Sequence, residues 1–141
     1  MYRHDMHLIR PSITRIFSAR RSIGSAFYAR LFEREPAFRK MFPAELGKQA
    51  RAFDEMIALI AKKTNDPEAV KPVLEDIGNR YRSYGTRPHH LPMIGEVFLA
   101  VLREETPGGL TSEEAEAWQR SFERAAEVVA QRLLDPPAVW A

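Results

Sequence analysis

Residues 77–98 read Ile-Gly-Asn-Arg-Tyr-Arg-Ser-Tyr-Gly-Thr-Arg-Pro-His-His-Leu-Pro-Met-Ile-Gly-Glu-Val-Phe. Two helix faces meet in this stretch. Upstream, Val70, Val73, Leu74 and Ile77 recur at spacings of three and four, and Tyr81 extends that face by one i+4 step. Gly85 follows where a helix C-terminal cap sits. Downstream, Ile94, Val97, Phe98, Val101 and Leu102 form a second stripe of the same period. Stripe, cap and stripe predict two helices joined by a short turn, with Tyr81 facing inward.

The same periodicity extends in both directions. Ile13, Ile16, Phe17, Phe27 and Leu31 line one helical stretch, softened around Ser22 to Ser25. Phe53, Met56, Ile57 and Ile60 form a further stripe, and Trp118, Phe122, Ala125, Val129 and Leu133 a last one. Asp66-Pro67 reads as an N-cap with proline at the first helical position. Thr111-Ser112-Glu113-Glu114 reads as a capping box after a Gly108-Gly109 loop. Pro36 and Pro43 bracket a segment, Ala37 to Phe42, too short for a full helix. Strand-like alternation is nearly absent. The expectation is an all-α fold in one domain over residues 1–141, with residues 1–10 as an N-terminal extension and 135–141 as an irregular tail.

Composition narrows the function classes. With 45% hydrophobic residues in 141, the chain can build one core. Its 21 Lys+Arg and 19 Asp+Glu are interleaved, so no basic stripe for nucleic acid is expected. Cysteine is absent, which excludes disulfides, thiol nucleophiles and thiolate metal sites. No apolar run reaches membrane-spanning or secretory length, so no membrane partner and a cytoplasmic location are expected. Gly108-Gly109 lacks the lysine of a phosphate loop. His89 and His90 are adjacent and do not share a helix face, which argues against a metal pair.

Three separated motifs carry a family resemblance: Phe27-Tyr28-Ala29-Arg30-Leu31-Phe32 with Pro36 and Arg39-Lys40-Met41-Phe42-Pro43; residues 77–85; and residues 88–96, followed by Trp118. Together they resemble the bacterial globins of the flavohaemoglobin and single-domain haemoglobin class, over roughly Ser12 to Leu134. The resemblance implies a globin-like bundle of about six to eight helices around haem b. It places Tyr28 as the distal tyrosine, donating to a ligand on the iron, and Gln49 near the distal polar position. Phe53 would wall the pocket, Phe42 would pack flat on the porphyrin, and Ile94 and Phe98 would lie under the ring.

One departure stands out. Where this class has its proximal histidine, the chain has Tyr81, with matching residues on both sides. His89 and His90 lie beyond Gly85 and could reach the iron only if the proximal helix unwound. Tyr81 reads either as a core residue with a satisfied hydroxyl or as an axial phenolate, a known haem ligand type. Arg80 and Arg82 would either favour the phenolate by charge or lie as solvated surface arginines, the commoner case. The first function expected is therefore a globin-like haem protein handling a small diatomic or anionic ligand of the O2/NO class, ferric, with Tyr81 as the metal ligand. Any turnover would need an external reductase, and a homodimer is left open. The competing expectation is a haem-free globin fold acting as a sensor or interaction module.

Overall fold

Ser22 divides the first helical stretch in two. Its hydroxyl accepts a hydrogen bond from the Ser25 backbone N–H at 3.0 Å, capping a new helix. The computed structural model describes residues 2–19, 22–62 and 67–134. Among these it forms seven α-helices and no strand: α1 (Tyr2–Ser18), α2 (Ile23–Arg34), α3 (Ala37–Met41), α4 (Gly47–Lys62), α5 (Pro67–Tyr84), α6 (Leu91–Glu105) and α7 (Ser112–Leu134). A 3-10 turn, Pro88–His90, joins α5 to α6. Pro67 opens α5 as expected, while its proposed N-cap Asp66 and the tail from Asp135 lie outside the described residues.

The predicted stripes face the core, with Val73, Ile77, Phe122 and Ala125 only partly buried and one residue exposed. Ile13, Ile16, Phe27 and Leu31 are buried, but Phe17, one residue before the end of α1, is 38% exposed. Residues 2–10, expected as an extension, are the first turns of α1. Pro11 sits on the exposed side of that helix, so its ring meets solvent rather than the core. Ile9 is fully buried, and Ser12 beneath it accepts the Trp118 indole N–H at 2.9 Å while donating to the Ile9 carbonyl. Trp118 thereby joins α1 to α7 with its polar edge satisfied.

Three ion pairs reinforce that junction. Asp5, only 2% exposed, pairs with Arg120 and Arg124 at 2.8 and 2.9 Å. At the other end, Arg15 pairs with Glu114 at 2.8 Å. Glu114 also completes the predicted capping box, accepting from the Thr111 N–H while the Thr111 hydroxyl accepts from its own N–H. Burial pushes the Asp5 carboxyl up, but hydrogen bonds and charge from Arg120 and Arg124 outweigh it and hold the group below its ordinary value. The Arg15 hydrogen bond, opposed by burial, does the same for Glu114. A carboxyl held low in the fold stabilises above its unfolded value and loses that contribution as pH falls through the folded value. Stability should therefore be level near neutral pH and fall below about pH 4. Thermal melts across this range should show a flatter acid limb, and a lower neutral melting temperature, in an Asp5→Asn/Glu114→Gln variant.

Packing centres on α5 against α7 and on α2 against both α4 and α6, with α1 across α7. The α2–α4 crossing is close enough that a Cβ on Gly24 would lie 2.2 Å from the Ala50 carbonyl oxygen. By contrast α4 and α5 touch sparingly, and a cavity lies between them.

Candidate functional site

The walls of this cavity, about 330 Å³ in volume, come from α2, α4, α5, α6 and α7. Along its floor an aromatic chain runs from Trp118 through Phe98, Phe53 and Phe27 to Tyr28. Neighbouring rings stand 5.7, 5.8, 4.6 and 5.0 Å apart. Such contacts fix ring positions by shape and edge-to-face attraction. Met56, Leu74 and Ile94 complete the apolar lining. Water has little to bind here, so each polar group in the wall needs a protein partner or a ligand.

Two hydrogen-bonded pairs meet that requirement, whereas Arg80 Nε in the same wall is buried without a hydrogen-bond partner. The Tyr28 and Tyr81 hydroxyls lie 2.7 Å apart in a direct hydrogen bond joining α2 to α5. Gln49 on α4 donates its amide to the Tyr84 hydroxyl at 2.7 Å, joining α4 to α5. Burial pushes the Tyr28 phenol up to about 12, against the lowering effects of the Tyr81 hydrogen bond and Arg80. Burial and then Tyr28 push the Tyr81 phenol well above its ordinary value. Both are neutral phenols near pH 7. The Arg80 charge does pull Tyr81 toward phenolate, as its place in the sequence suggests, but burial outweighs it in the metal-free chain.

Tyr81 is anchored by the end of its own helix. The Thr86 N–H donates to the Tyr81 carbonyl and the Gly85 N–H to the Arg82 carbonyl, both at 3.0 Å, with Gly85 at φ +98°. This is the paired hydrogen-bond pattern of a glycine-terminated helix. A residue with a Cβ is strained at that φ, so glycine here holds the last turn, and with it Tyr81, in register.

Of the seven residues singled out from the sequence, Tyr28, Gln49, Phe53, Tyr81, Ile94 and Phe98 line this one cavity. Phe42 does not. It stands behind the tyrosine pair, edge-on to Tyr81 at 5.4 Å and tilted against Tyr28 at 5.9 Å, because the short α3 brings it to the outer side of their rings. Tyr84 was the residue the sequence reading passed over. It lies three positions after Tyr81, hence on the same helix face, and that spacing could have revealed it. His89 and His90 stay outside the cavity, since α5 runs unbroken to Tyr84. The ring of His90 packs edge-on against Phe38 at 4.8 Å, and its Nδ1 accepts the Arg87 N–H at 2.9 Å. Among the described residues, no group of three or more His, Cys, Asp or Glu could hold a metal ion.

The donor chemistry suits the haem b implied by the sequence resemblance: two buried phenols, one of them able to hold an iron as phenolate, among apolar aromatic walls. The spacing adds a condition. A flat ring bound through Tyr81 would need Tyr28 to stand off its other face by a contact distance of about 3.5 Å, whereas 2.7 Å spans the whole gap between the hydroxyls. The tyrosine pair must part for a ring to seat.

Comparison with known proteins agrees with this architecture. The family model for globins matches residues 25–129. The flavohemoprotein of Rhizobium meliloti (strain 1021) is 31% identical over 107 residues, covering 74% of this chain and 27% of that protein. The flavohemoprotein of Halalkalibacterium halodurans is 30% identical over 113 residues, covering 78% of this chain and 28% of that protein. The chain thus corresponds to little more than a quarter of those relatives' length. Among solved structures, an engineered carbene transferase from Rhodothermus marinus superposes with a TM-score of 0.80 at 19% identity, covering 92% of this chain and 90% of that one. A bacterial globin from Campylobacter jejuni superposes with a TM-score of 0.77 at 17% identity, covering 92% and 94%. No helix among the described residues is long and apolar enough to cross a membrane.

Proposed function

This chain belongs to the globin family, whose cofactor is haem, and from that premise we propose that it would hold haem b in the α4–α5 cavity through the Tyr81 phenol oxygen. The observation that carries the proposal is the pairing of two buried phenols, Tyr28 and Tyr81, from facing helices inside an aromatic cavity. Haem would supply a redox-active iron able to bind a small diatomic or anionic ligand of the O2/NO class.

The protein's own groups have separable tasks. Tyr81 would hold the iron through its phenol oxygen, an anionic, hard donor that favours the ferric state. Arg80, one residue before it, lowers the cost of that charge. Phe42, edge-on to the Tyr81 ring, limits its rotation. Tyr28 would offer its hydroxyl as a donor to a bound small ligand, with Gln49 as a second polar group. Phe27, Phe53 and Phe98 keep water out. Iron turnover would draw electrons from a reductase outside residues 2–134.

A second reading has its own support. Tyr28, Tyr81, Gln49 and Tyr84 satisfy one another without any ligand, as in a haem-free globin serving as a sensor or interaction module. An absorption spectrum with and without added haemin separates the two. Stoichiometric uptake, with a phenolate charge-transfer band that disappears in Tyr81→Phe, is the expected result. A histidine-type spectrum would transfer the role to His89 or His90, and absence of uptake would favour the haem-free module.

A further inference from the structure

Among the described residues, three of the four charged side chains in the cavity wall are cations, although the chain as a whole is nearly balanced at 21 Lys+Arg to 19 Asp+Glu. Lys71 and the one carboxylate, Glu68, are exposed, and Arg124 holds Asp5. Arg80 differs from these. It turns Nη2 to Asp76 on its own helix at 2.8 Å, while its Nε is buried with no hydrogen-bond partner. A buried N–H without an acceptor costs free energy that an incoming oxygen recovers. Around it the wall is apolar. Ile77, Phe122, Ala125 and Val128 line the cavity and are only partly buried, so a hydrocarbon seated there removes apolar surface from water.

We propose that this cavity binds an organic acid with an apolar body, of the medium-chain carboxylate class, with its carboxylate on Arg80 and its hydrocarbon against the α5 and α7 walls. Other ligand classes meet only half of the site. A small inorganic anion takes the Arg80 N–H and leaves the apolar wall uncovered. A neutral hydrocarbon covers the wall and leaves the N–H without an acceptor. An apolar acid does both. Its hydrogen bond is charge-assisted, guanidinium to carboxylate, and Asp76 keeps Nη2 while the ligand takes Nε. Filled at the packing density of protein interiors, about 330 Å³ suits an acid of about ten carbons and is too small for a two-chain lipid. Binding is non-covalent, and Tyr28 and Tyr81 keep their mutual hydrogen bond because Arg80 holds the head group. This site therefore needs neither haem nor a parting of the tyrosines.

The test is calorimetric titration of the purified chain, with no haemin added, against decanoate, 1-decanol and acetate. Decanoate is expected to bind once per chain, 1-decanol more weakly by roughly tenfold to a hundredfold, and acetate not measurably. Arg80→Gln should lower decanoate affinity to that of 1-decanol while leaving 1-decanol unchanged, and Arg80→Lys, which keeps the charge, should lose less. Ala125→Phe, which fills the cavity, should weaken both. Binding of neither decanoate nor 1-decanol to wild type would overturn the proposal. Equal affinities of the two for wild type would remove Arg80 from the site, a comparison that holds even if Arg80→Gln does not fold. Equal losses of both ligands in Arg80→Gln would make Arg80 a structural residue, and undiminished decanoate binding in Ala125→Phe would place the ligand elsewhere. Either result overturns the assignment. Because haemin takes no part, failure of the haem reading leaves each of these outcomes unchanged.

Discussion

Gly24→Ala is expected to destabilise the fold by about 3 kcal/mol, lowering the melting temperature by roughly 10 °C. The added Cβ would meet the Ala50 carbonyl oxygen at 2.2 Å and the Ala50 carbonyl carbon and Cα at 2.8 Å. All three are backbone atoms, so no side chain can rotate away, and α2 and α4 must separate. Separation stretches what holds that crossing. The Gly24 N–H donates to Asp54 Oδ1 at 2.8 Å, the Ser22 hydroxyl donates to Asp54 Oδ2 at 2.6 Å, and Phe27 stacks on Phe53 at 4.6 Å. The same shift moves Tyr28 relative to Gln49, so residual folded variant should also have an altered cavity. Urea unfolding of Gly24→Ala beside Gly47→Ala measures the effect. At Gly47 a Cβ would meet only the flexible end of Glu45, at 3.0 Å, and stability should change little. Equal stability of the two variants would mean that the crossing can relax.

What could be read in advance follows from which physical constraints are local. The stripes at Val70, Leu74 and Tyr81 and at Ile94, Phe98 and Leu102 depend only on helix period, and they are buried as read. So do the Thr111–Glu114 capping box and the Gly85 terminus, whose partners lie within a few residues. Spacing says which face a side chain occupies but not what faces it across the core. Tyr81 could be placed inward, yet its partner Tyr28 is 53 residues away in sequence, and the bond between them belongs to helix packing. The long start of α1 was hidden for the converse reason. Pro11 reads as a helix boundary, while the interactions that extend the helix past it, Asp5 with Arg120 and Arg124, are over 100 residues apart. Phe42 was assigned by likeness to a family in which a ring lies beside it. Its place behind two tyrosines could be seen only once those tyrosines were seen to meet.

Tyr81→His is expected to exchange one kind of haem site for another. A neutral imidazole replaces an anionic phenolate, so the ferrous state becomes accessible and the reduction potential should rise by on the order of hundreds of millivolts. Reduced Tyr81→His loaded with haemin should bind carbon monoxide, whereas the wild-type chain should resist reduction. The haem-free variant should change in the opposite sense. Tyr28 loses the hydroxyl 2.7 Å from its own, and a buried phenol left without a partner costs about 1–3 kcal/mol. Haem binding would then compensate for that loss, because a ligand that binds only the folded state stabilises it in proportion to the logarithm of its concentration over Kd. Melting temperatures of both proteins, with and without haemin, test this together with a spectroelectrochemical titration. A larger haem-induced rise in Tyr81→His than in wild type would place the hydroxyl pair at the centre of haem-free stability. An unchanged potential would mean that Tyr81 does not ligate the iron. An unchanged haem-free melting temperature would mean that Tyr28 finds another partner.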